Sequence, residues 1–121
     1  SCECVLACTS TYPTAPEEIN LNHMVTLRFD YPKLKVGFSN HYSGLLACVG
    51  AVARGADCIE FHITHDRTDY GSDQAASIEN VDELMSMVRT MEKMIGDGVK
   101  RVYSAEVGIA EKLRKTNDIL L

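Results

Sequence analysis

Two histidines, His41 and His62, each follow a short, mainly apolar run, and 21 residues separate them. The runs, residues 36–38 and 58–61, are typical of buried strands in a parallel α/β sheet. The chemistry of such sheets lies at the carboxyl ends of the strands, because the βα loops converge there. Imidazole nitrogens bind Mn, Zn or Fe. A single histidine after a strand is more often only a hydrogen-bonding residue. For two histidines in equivalent positions, a shared metal or catalytic site is about as common as two separate hydrogen-bonding roles.

Glu60 precedes His62 by two residues, so the two side chains point to the same face of an extended strand. If that face lines the interior of a barrel, the carboxylate stands beside the imidazole. A buried carboxylate without a partner is costly. The position therefore indicates either a functional role for Glu60 or a salt bridge inside the barrel. Further polar side chains follow the first two predicted strands, namely Thr9, Ser10, Tyr12, Ser39 and Asn40.

Composition excludes some classes of partner. The chain has 121 residues and a formal net charge of −5, which argues against binding to nucleic acid or to anionic membranes. No apolar run approaches the roughly 18 residues of a membrane span, so we expect neither nucleic acid nor membrane as a partner. The five cysteines are odd in number and fall mostly in apolar segments. That pattern favours reduced thiols in the cytoplasm over a disulfide framework.

The elements that position these residues form three successive strand–loop–helix units. We predict strands over residues 5–9, 35–39 and 58–63 and helices over residues 20–30, 45–54, 81–95 and 104–115. Such a series gives a parallel sheet with right-handed crossovers. Because three strands cannot close a barrel, we interpret residues 1–121 as one partial segment, the C-terminal portion of a (β/α)8 TIM barrel, whose typical size is about 250 residues. Helices in such a segment would expose faces meant for neighbours, and we expect a homo-oligomer.

The predicted helix boundaries have their own signals. Asn20 can cap the first helix, and Asn80 with Glu83 fits a capping box for the third. Gly55 and Gly96 suit the position just after a helix C-terminus.

Four motifs stand in order along the chain, and together they resemble the sialic acid synthase family. They are CTSTYPT at residues 8–14, GFSNH at 37–41, IEFHITHDR at 59–67 and GSDQAAS at 71–77. That family includes N-acetylneuraminate, legionaminate and pseudaminate synthases. The resemblance implies a phosphoenolpyruvate-dependent condensation, catalysed by a C–C bond-forming transferase, with an N-acetylmannosamine-type sugar. The implied products are a nine-carbon 2-keto sugar acid and phosphate, and the implied cofactor is a divalent metal, Mn²⁺ first, with Mg²⁺ or Co²⁺ as alternatives.

The resemblance also implies roles for residues at matching positions. His41 and His62 match the metal-binding histidines, and Glu60 matches the catalytic carboxylate beside the metal. Four further residues match substrate contacts: Ser10 and Ser39 for phosphoenolpyruvate, Tyr12 and Asp73 for the sugar. The lysines that neutralise phosphoenolpyruvate in the family are expected from strands that precede these residues.

The chain departs from the family pattern at Asn40, where Asp is usual, at Ser72, where Pro is usual, and at Ile63 and His65 around Thr64. Asn40 in place of Asp removes a negative charge from beside the metal and would weaken the site, and His65 either reaches the site or lies in solvent. These departures leave two alternatives open. One is a truncated or non-catalytic homologue that acts as a binding or structural protein. The other is a different metal-dependent barrel aldolase or isomerase, against which the loop at residues 71–77 argues, since it fits the synthase pattern.

Overall fold

The computed structural model describes residues 1–71 and 73–114. Within them, the elements follow the order β1 (Cys4–Cys8), α1 (Pro16–Ile19), α2 (His23–Asp30), β2 (Lys35–Asn40), α3 (Leu46–Ala53), β3 (Ile59–Phe61), α4 (Val81–Ile95) and α5 (Ser104–Leu113). A turn of 3-10 helix, Gln74–Ala76, lies between β3 and α4.

The three strands form one parallel sheet in the order β1-β2-β3. Cys8 of β1 lies beside Ser39 of β2, and Ser39 lies beside Glu60 of β3. The carboxyl ends of the three strands therefore meet at one edge, as the sequence predicts. The α/β class with a parallel sheet is confirmed, while its completion into a TIM barrel stays a prediction.

Successive residues along the strands separate a face covered by helices from the opposite face of the sheet. Val36 and Phe38 of β2 are buried against Met24 and Leu27 of α2 and belong to one apolar cluster. A second cluster joins α3 to α4 and includes Cys48, Val49, Val52, Ile78, Leu84 and Val88. Successive strand residues point to opposite faces of a sheet. The side of the sheet opposite to Val36 and Phe38 therefore belongs to Gly37 and Ser39.

Gly37 is required by a close approach on that other face. A Cβ built there would lie 2.4 Å from Cys58 Sγ, 2.5 Å from the Cys58 carbonyl oxygen and 2.6 Å from Leu6 Cδ2. The thiols of Cys4 and Cys58 meet beside it, with 3.1 Å between the two sulfur atoms. Any side chain at Gly37 would therefore push β2 away from Leu6 of β1 and from Cys58, the residue before β3.

The first helical region differs from the predicted single helix over residues 20–30. Pro16 begins a separate short helix, α1, because proline suits the first helical position, where its missing N–H costs nothing. Asn20 ends α1 in the left-handed conformation, with φ 49°, which asparagine tolerates better than most residues. The prediction that Asn20 caps the start of a helix is therefore wrong, and α2 begins at His23.

The remaining boundaries lie close to the predicted ones. Asn80 Oδ1 accepts the Glu83 N–H at 2.9 Å and caps α4, while Gly55 and Gly96, with φ of 83° and 63°, follow α3 and α4 as expected. The third strand is shorter than the predicted range 58–63 because β2 ends at Asn40 and the chain beyond β3 pairs with Ile78 instead.

The last element, α5, has no buried residue. The final residue of the predicted helix over 104–115 lies outside the described residues, as does Ser72. Among residues 1–71 and 73–114, none of the helices combines the length and apolar character that crossing a membrane requires.

Candidate metal and substrate site

The structure brings His41 and His62 together at the carboxyl edge of the sheet. His41 directly follows β2 and is buried, with 5% of its surface exposed. His62 directly follows β3 and is half-buried. The two ring centroids are 5.3 Å apart, and the rings meet edge to face at 89°. Neighbouring parallel strands that end at the same level explain this pairing across 21 residues of sequence.

Each imidazole is engaged through its Nδ1 atom. His41 Nδ1 lies 2.8 Å from the Thr9 carbonyl oxygen, and His62 Nδ1 lies 2.7 Å from Asp73 Oδ2. A carbonyl oxygen or an ionised carboxylate only accepts hydrogen bonds, so both Nδ1 atoms are the donors. In the neutral rings the Nε2 atoms then carry the lone pairs. This is the arrangement in which a metal-binding histidine is oriented by its other nitrogen.

The hydrogen bond from His62 also acts on Asp73. It lowers the pKa of the Asp73 carboxyl below its ordinary value, and a backbone hydrogen bond adds to the effect. The carboxylate is therefore ionised at neutral pH and acts as the acceptor in this pair. The family resemblance assigns Asp73 a role in binding the sugar. The structure shows that one carboxylate oxygen of Asp73 contacts His62.

Tyr12 covers the two histidines. Its ring centroid lies 4.4 Å from that of His41 and 5.8 Å from that of His62. The loop that carries Tyr12 is fixed by Thr14, which is buried and whose N–H donates to the His41 carbonyl oxygen at 2.8 Å. The Thr14 hydroxyl donates to the carbonyl oxygens of Thr9 and Thr11. Sequence analysis assigned Thr14 no role, although its place in the first motif was the available signal.

Ser39 and Glu60 form a second polar pair, on the strands themselves. The Ser39 hydroxyl donates a hydrogen bond to Glu60 Oε2. Ser39 is buried, whereas Glu60 is exposed in the part of the chain that the structure describes, so the expectation of a buried carboxylate is not met there. The salt bridge considered as an alternative is also not found among those residues.

The other residues considered from the sequence lie further out. Ser10 is exposed, and its hydroxyl lies 3.5 Å from the thiol of Cys8, which is itself 4.0 Å from His41 Nδ1. His65 is exposed to solvent, one of the two placements open to it. The site thus brings His41, His62, Asp73 and Tyr12 into contact and places Ser39 with Glu60 beside them on the sheet.

The donor set fits a metal site built on two imidazoles. Across residues 1–71 and 73–114 no group of three or more His, Cys, Asp and Glu side chains is arranged to hold a metal ion. Both Nδ1 positions are taken by acceptors, so the Nε2 atoms are the ring nitrogens of this pair that stay free for a ligand. A metal there would keep its remaining coordination positions for water or substrate.

Comparison with known proteins decides the family. The model of the NeuB family matches residues 3–100. The chain belongs to the NeuB family. It is 40% identical over 115 residues to N-acetylneuraminate-9-phosphate synthase of Homo sapiens, a match that covers 93% of this chain and 32% of that protein. It is 44% identical over 96 residues to a pseudaminic acid synthase of Campylobacter jejuni, with 77% of this chain and 27% of that protein covered.

A solved structure shows the same fold. The N-acetylneuraminic acid (sialic acid) synthetase from Leptospira borgpetersenii serovar Hardjo-bovis, in complex with citrate, superimposes with a TM-score of 0.74 at 31% identity. The superposition covers 95% of this chain and 41% of that one. This NeuB-family chain spans about a third of the length of the curated relatives that it matches.

Asn40, the departure in the second motif of this NeuB-family chain, has a structural explanation. It is fully buried. Its Nδ2 donates to the Tyr42 carbonyl oxygen at 3.1 Å, and its Oδ1 accepts the Tyr42 N–H at 3.2 Å. The amide thus satisfies both backbone groups of Tyr42, which a carboxylate cannot do. The hypothesis that Asn40 weakens the site by removing a carboxylate from a ligand imidazole is not supported, because the side chain faces this backbone.

Arg67, in the third motif, is a residue that sequence analysis left without a role. Its Nε donates to the Ser77 carbonyl oxygen at 2.9 Å, and its Nη1 lies 3.3 Å from the Ser43 hydroxyl. Its backbone N–H donates to Glu79 Oε1 at 3.1 Å. Arg67 therefore joins the loop after β3 to the loop after β2, the two segments that carry the histidines.

Proposed function

We propose that this chain forms the metal-binding part of a sugar-acid synthase that condenses phosphoenolpyruvate with an N-acetylmannosamine-type sugar. The observation that carries the proposal is the pair His41 and His62, each with Nδ1 held by an acceptor, in a chain of the NeuB family. The names of the relatives, which are synthases of sialic, legionaminic and pseudaminic acids, support the substrate class.

The site residues divide the work of the reaction. A divalent metal bound by Nε2 of His41 and of His62, Mn²⁺ in the first instance, would polarise the sugar aldehyde as a Lewis acid. Carbon 3 of phosphoenolpyruvate forms the new bond to that aldehyde carbon. Water adds at carbon 2 and phosphate leaves, so that one water is consumed for each phosphate released. Glu60 takes a proton from this water as general base, and the aldehyde oxygen, which becomes an alkoxide when the C–C bond forms, takes up a proton to give the product hydroxyl.

Substrate positioning falls to the other polar residues. The Ser39 hydroxyl and, at the rim, Ser10 contact phosphoenolpyruvate. Tyr12 lies against both imidazoles and fixes the sugar, and the Asp73 carboxylate accepts its hydroxyl groups. Further groups that neutralise the phosphoenolpyruvate anion would come from outside these residues, in a longer protein or in a second copy of a homo-oligomer. We expect this protein to act in the cytoplasm.

Metal binding tests the proposal on the chain itself. Titration with Mn²⁺, followed by electron paramagnetic resonance, should show one bound ion per chain. His41→Ala and His62→Ala should each abolish that binding, while His23→Ala, at the start of α2 and exposed, should leave it intact. Equal Mn²⁺ binding by the unsubstituted chain and by all three variants would overturn the assignment of His41 and His62 as metal ligands.

Turnover tests the chemistry. Phosphate release from phosphoenolpyruvate in the presence of N-acetylmannosamine and Mn²⁺ should be measured on the longest protein that contains these residues. Release that needs all three components supports the synthase. Metal binding without sugar-dependent release would favour the non-catalytic homologue, and sugar cleavage without phosphoenolpyruvate would favour a different barrel aldolase.

A further inference from the structure

The loop after β3 returns to the residue at which it starts. The Ile78 N–H donates to the His62 carbonyl oxygen at 2.8 Å, and the Thr64 N–H donates to the Ile78 carbonyl oxygen at 3.1 Å. Near its far end, the Asp73 carbonyl oxygen accepts from the Ser77 hydroxyl at 2.9 Å and from the Ala76 N–H at 3.1 Å. These bonds place the Asp73 side chain against His62, although 11 residues separate the two in sequence.

The contact between His62 and Asp73 is better suited to orienting a ring than to stabilising the fold. Its 2.7 Å length lies at the short end for a charge-assisted hydrogen bond. The two side chains, however, retain 31% and 40% of their exposure, and ion pairs in contact with solvent contribute little to folding stability. What the hydrogen bond does determine is which nitrogen of His62 carries the proton, and how the ring is oriented.

The two histidines differ in how they are held. His41 is buried and donates to the Thr9 carbonyl oxygen, a backbone atom that no side-chain substitution removes. His62 is more exposed and donates to a side chain. Of the two rings, His62 is therefore the one whose orientation depends on a replaceable residue.

We propose that Asp73 is a positioning residue for His62: it holds the ring as the Nδ1–H tautomer, with the Nε2 lone pair available at the site shared with His41. This inference rests on the proposed metal site and goes beyond the sugar contact that resemblance assigns to Asp73. A carboxylate in this position fixes the tautomer and the orientation of a ligand imidazole, and loss of such a partner typically costs ~10–100-fold in metal affinity.

The tautomer can be observed without metal or turnover. In the metal-free full chain, at a pH where the ring is neutral, the ¹⁵N chemical shifts of His62 should report protonated Nδ1 and unprotonated Nε2. Asp73→Ala should shift His62 toward the Nε2–H tautomer that free histidine prefers. Asp73→Asn should retain the Nδ1–H tautomer, because its amide oxygen still accepts. Asp69→Ala, an exposed carboxylate on the same loop, is the matched control and should change neither shift.

Affinity provides the second measurement. Relative to the unsubstituted chain, Asp73→Ala should weaken Mn²⁺ binding ~10–100-fold, with Asp73→Asn in between because it keeps the hydrogen bond without the charge. An unchanged His62 tautomer in Asp73→Ala overturns the inference even when Mn²⁺ binds normally. A tautomer that responds as expected in a chain that binds no Mn²⁺ supports the positioning and overturns the proposed metal site. If Asp73→Ala does not fold, Asp73→Asn is compared with Asp69→Ala instead. A hydrogen-bonding role for Asp73 requires that His62 keep its Nδ1–H signal in Asp73→Asn, and loss of that signal there overturns the inference.

Discussion

The Ser39 hydroxyl donates a hydrogen bond to Glu60 across neighbouring strands, at the level where β2 and β3 place the two residues side by side. One residue that resemblance assigns to phosphoenolpyruvate thus contacts the residue proposed as general base. The hydroxyl can turn between a phosphate oxygen and the carboxylate, because a hydroxyl has one proton to donate.

Glu60→Gln should separate proton transfer from binding. The amide oxygen still accepts from Ser39, but it no longer takes a proton from water. We expect sugar-dependent phosphate release to fall by ~10²–10⁴-fold, the usual contribution of a general base, while Mn²⁺ affinity stays within a few-fold. Glu17→Gln, on exposed α1, is the control. Full turnover in Glu60→Gln would remove Glu60 from the catalytic role.

Asn40→Asp should reduce stability and leave the metal site unchanged. The substitution keeps an acceptor for the Tyr42 N–H, but it replaces the Nδ2 donor by a second carboxylate oxygen that faces the Tyr42 carbonyl oxygen, in a fully buried position. An unsatisfied buried group costs about 1–3 kcal/mol, which a urea titration can measure. A gain in Mn²⁺ affinity on this substitution would contradict the structural explanation and restore the view that Asn40 degrades the site.

Gly37→Ala should disturb the sheet. Its Cβ would fall within 2.5 Å of the Cys58 carbonyl oxygen, a backbone atom that cannot turn aside. Overpacking of this kind costs about 1–3 kcal/mol, to be measured as a lower midpoint in urea. The matched control is Gly108→Ala in α5, where a new Cβ meets nothing within 4 Å and alanine favours the helix. Equal midpoints for the two variants would show that β2 and β3 have room to separate.

These features differ in how far the sequence predicts them. The apolar run in β2 and the Asn80 cap are local, so the strand and the start of α4 follow from a few neighbouring residues. Two histidines at equivalent strand ends also predict their own proximity. The His62–Asp73 contact depends on how a loop folds back, and the role of Asn40 depends on burial. Neither the closure of a loop nor the burial of one polar residue produces a periodic pattern in the sequence. The family resemblance therefore pointed to Asp73 and Asn40, but it did not predict which groups they contact.

The cysteines should react with alkylating reagents in an order set by exposure and pKa. Cys2 and Cys8 are exposed. Burial, with the charge of Glu60 adding to it, raises the pKa of Cys48 to about 12, and a raised pKa leaves less thiolate at any given pH. At pH 8 we expect iodoacetamide to modify Cys2 and Cys8 first and Cys48 last, as measured by peptide mass spectrometry. Early modification of Cys48 in the folded chain would show that α3 opens readily from the core.

The chain expressed by itself should associate or bind hydrophobic dyes. Phe29 and Leu46 are 86% and 71% exposed, and Ile109 on α5 is 60% exposed. Within the described residues, β1 pairs with β2 alone, and an unpaired parallel edge together with apolar surface promotes self-association. Size-exclusion chromatography with light scattering and dye fluorescence measures both effects, and Phe29→Lys should lower dye binding, whereas Lys33→Gln, an exposed polar control, should not. A monodisperse monomer that melts cooperatively and binds no dye would mean that the three units form a self-sufficient open sheet, and the interpretation as part of a barrel would then fail.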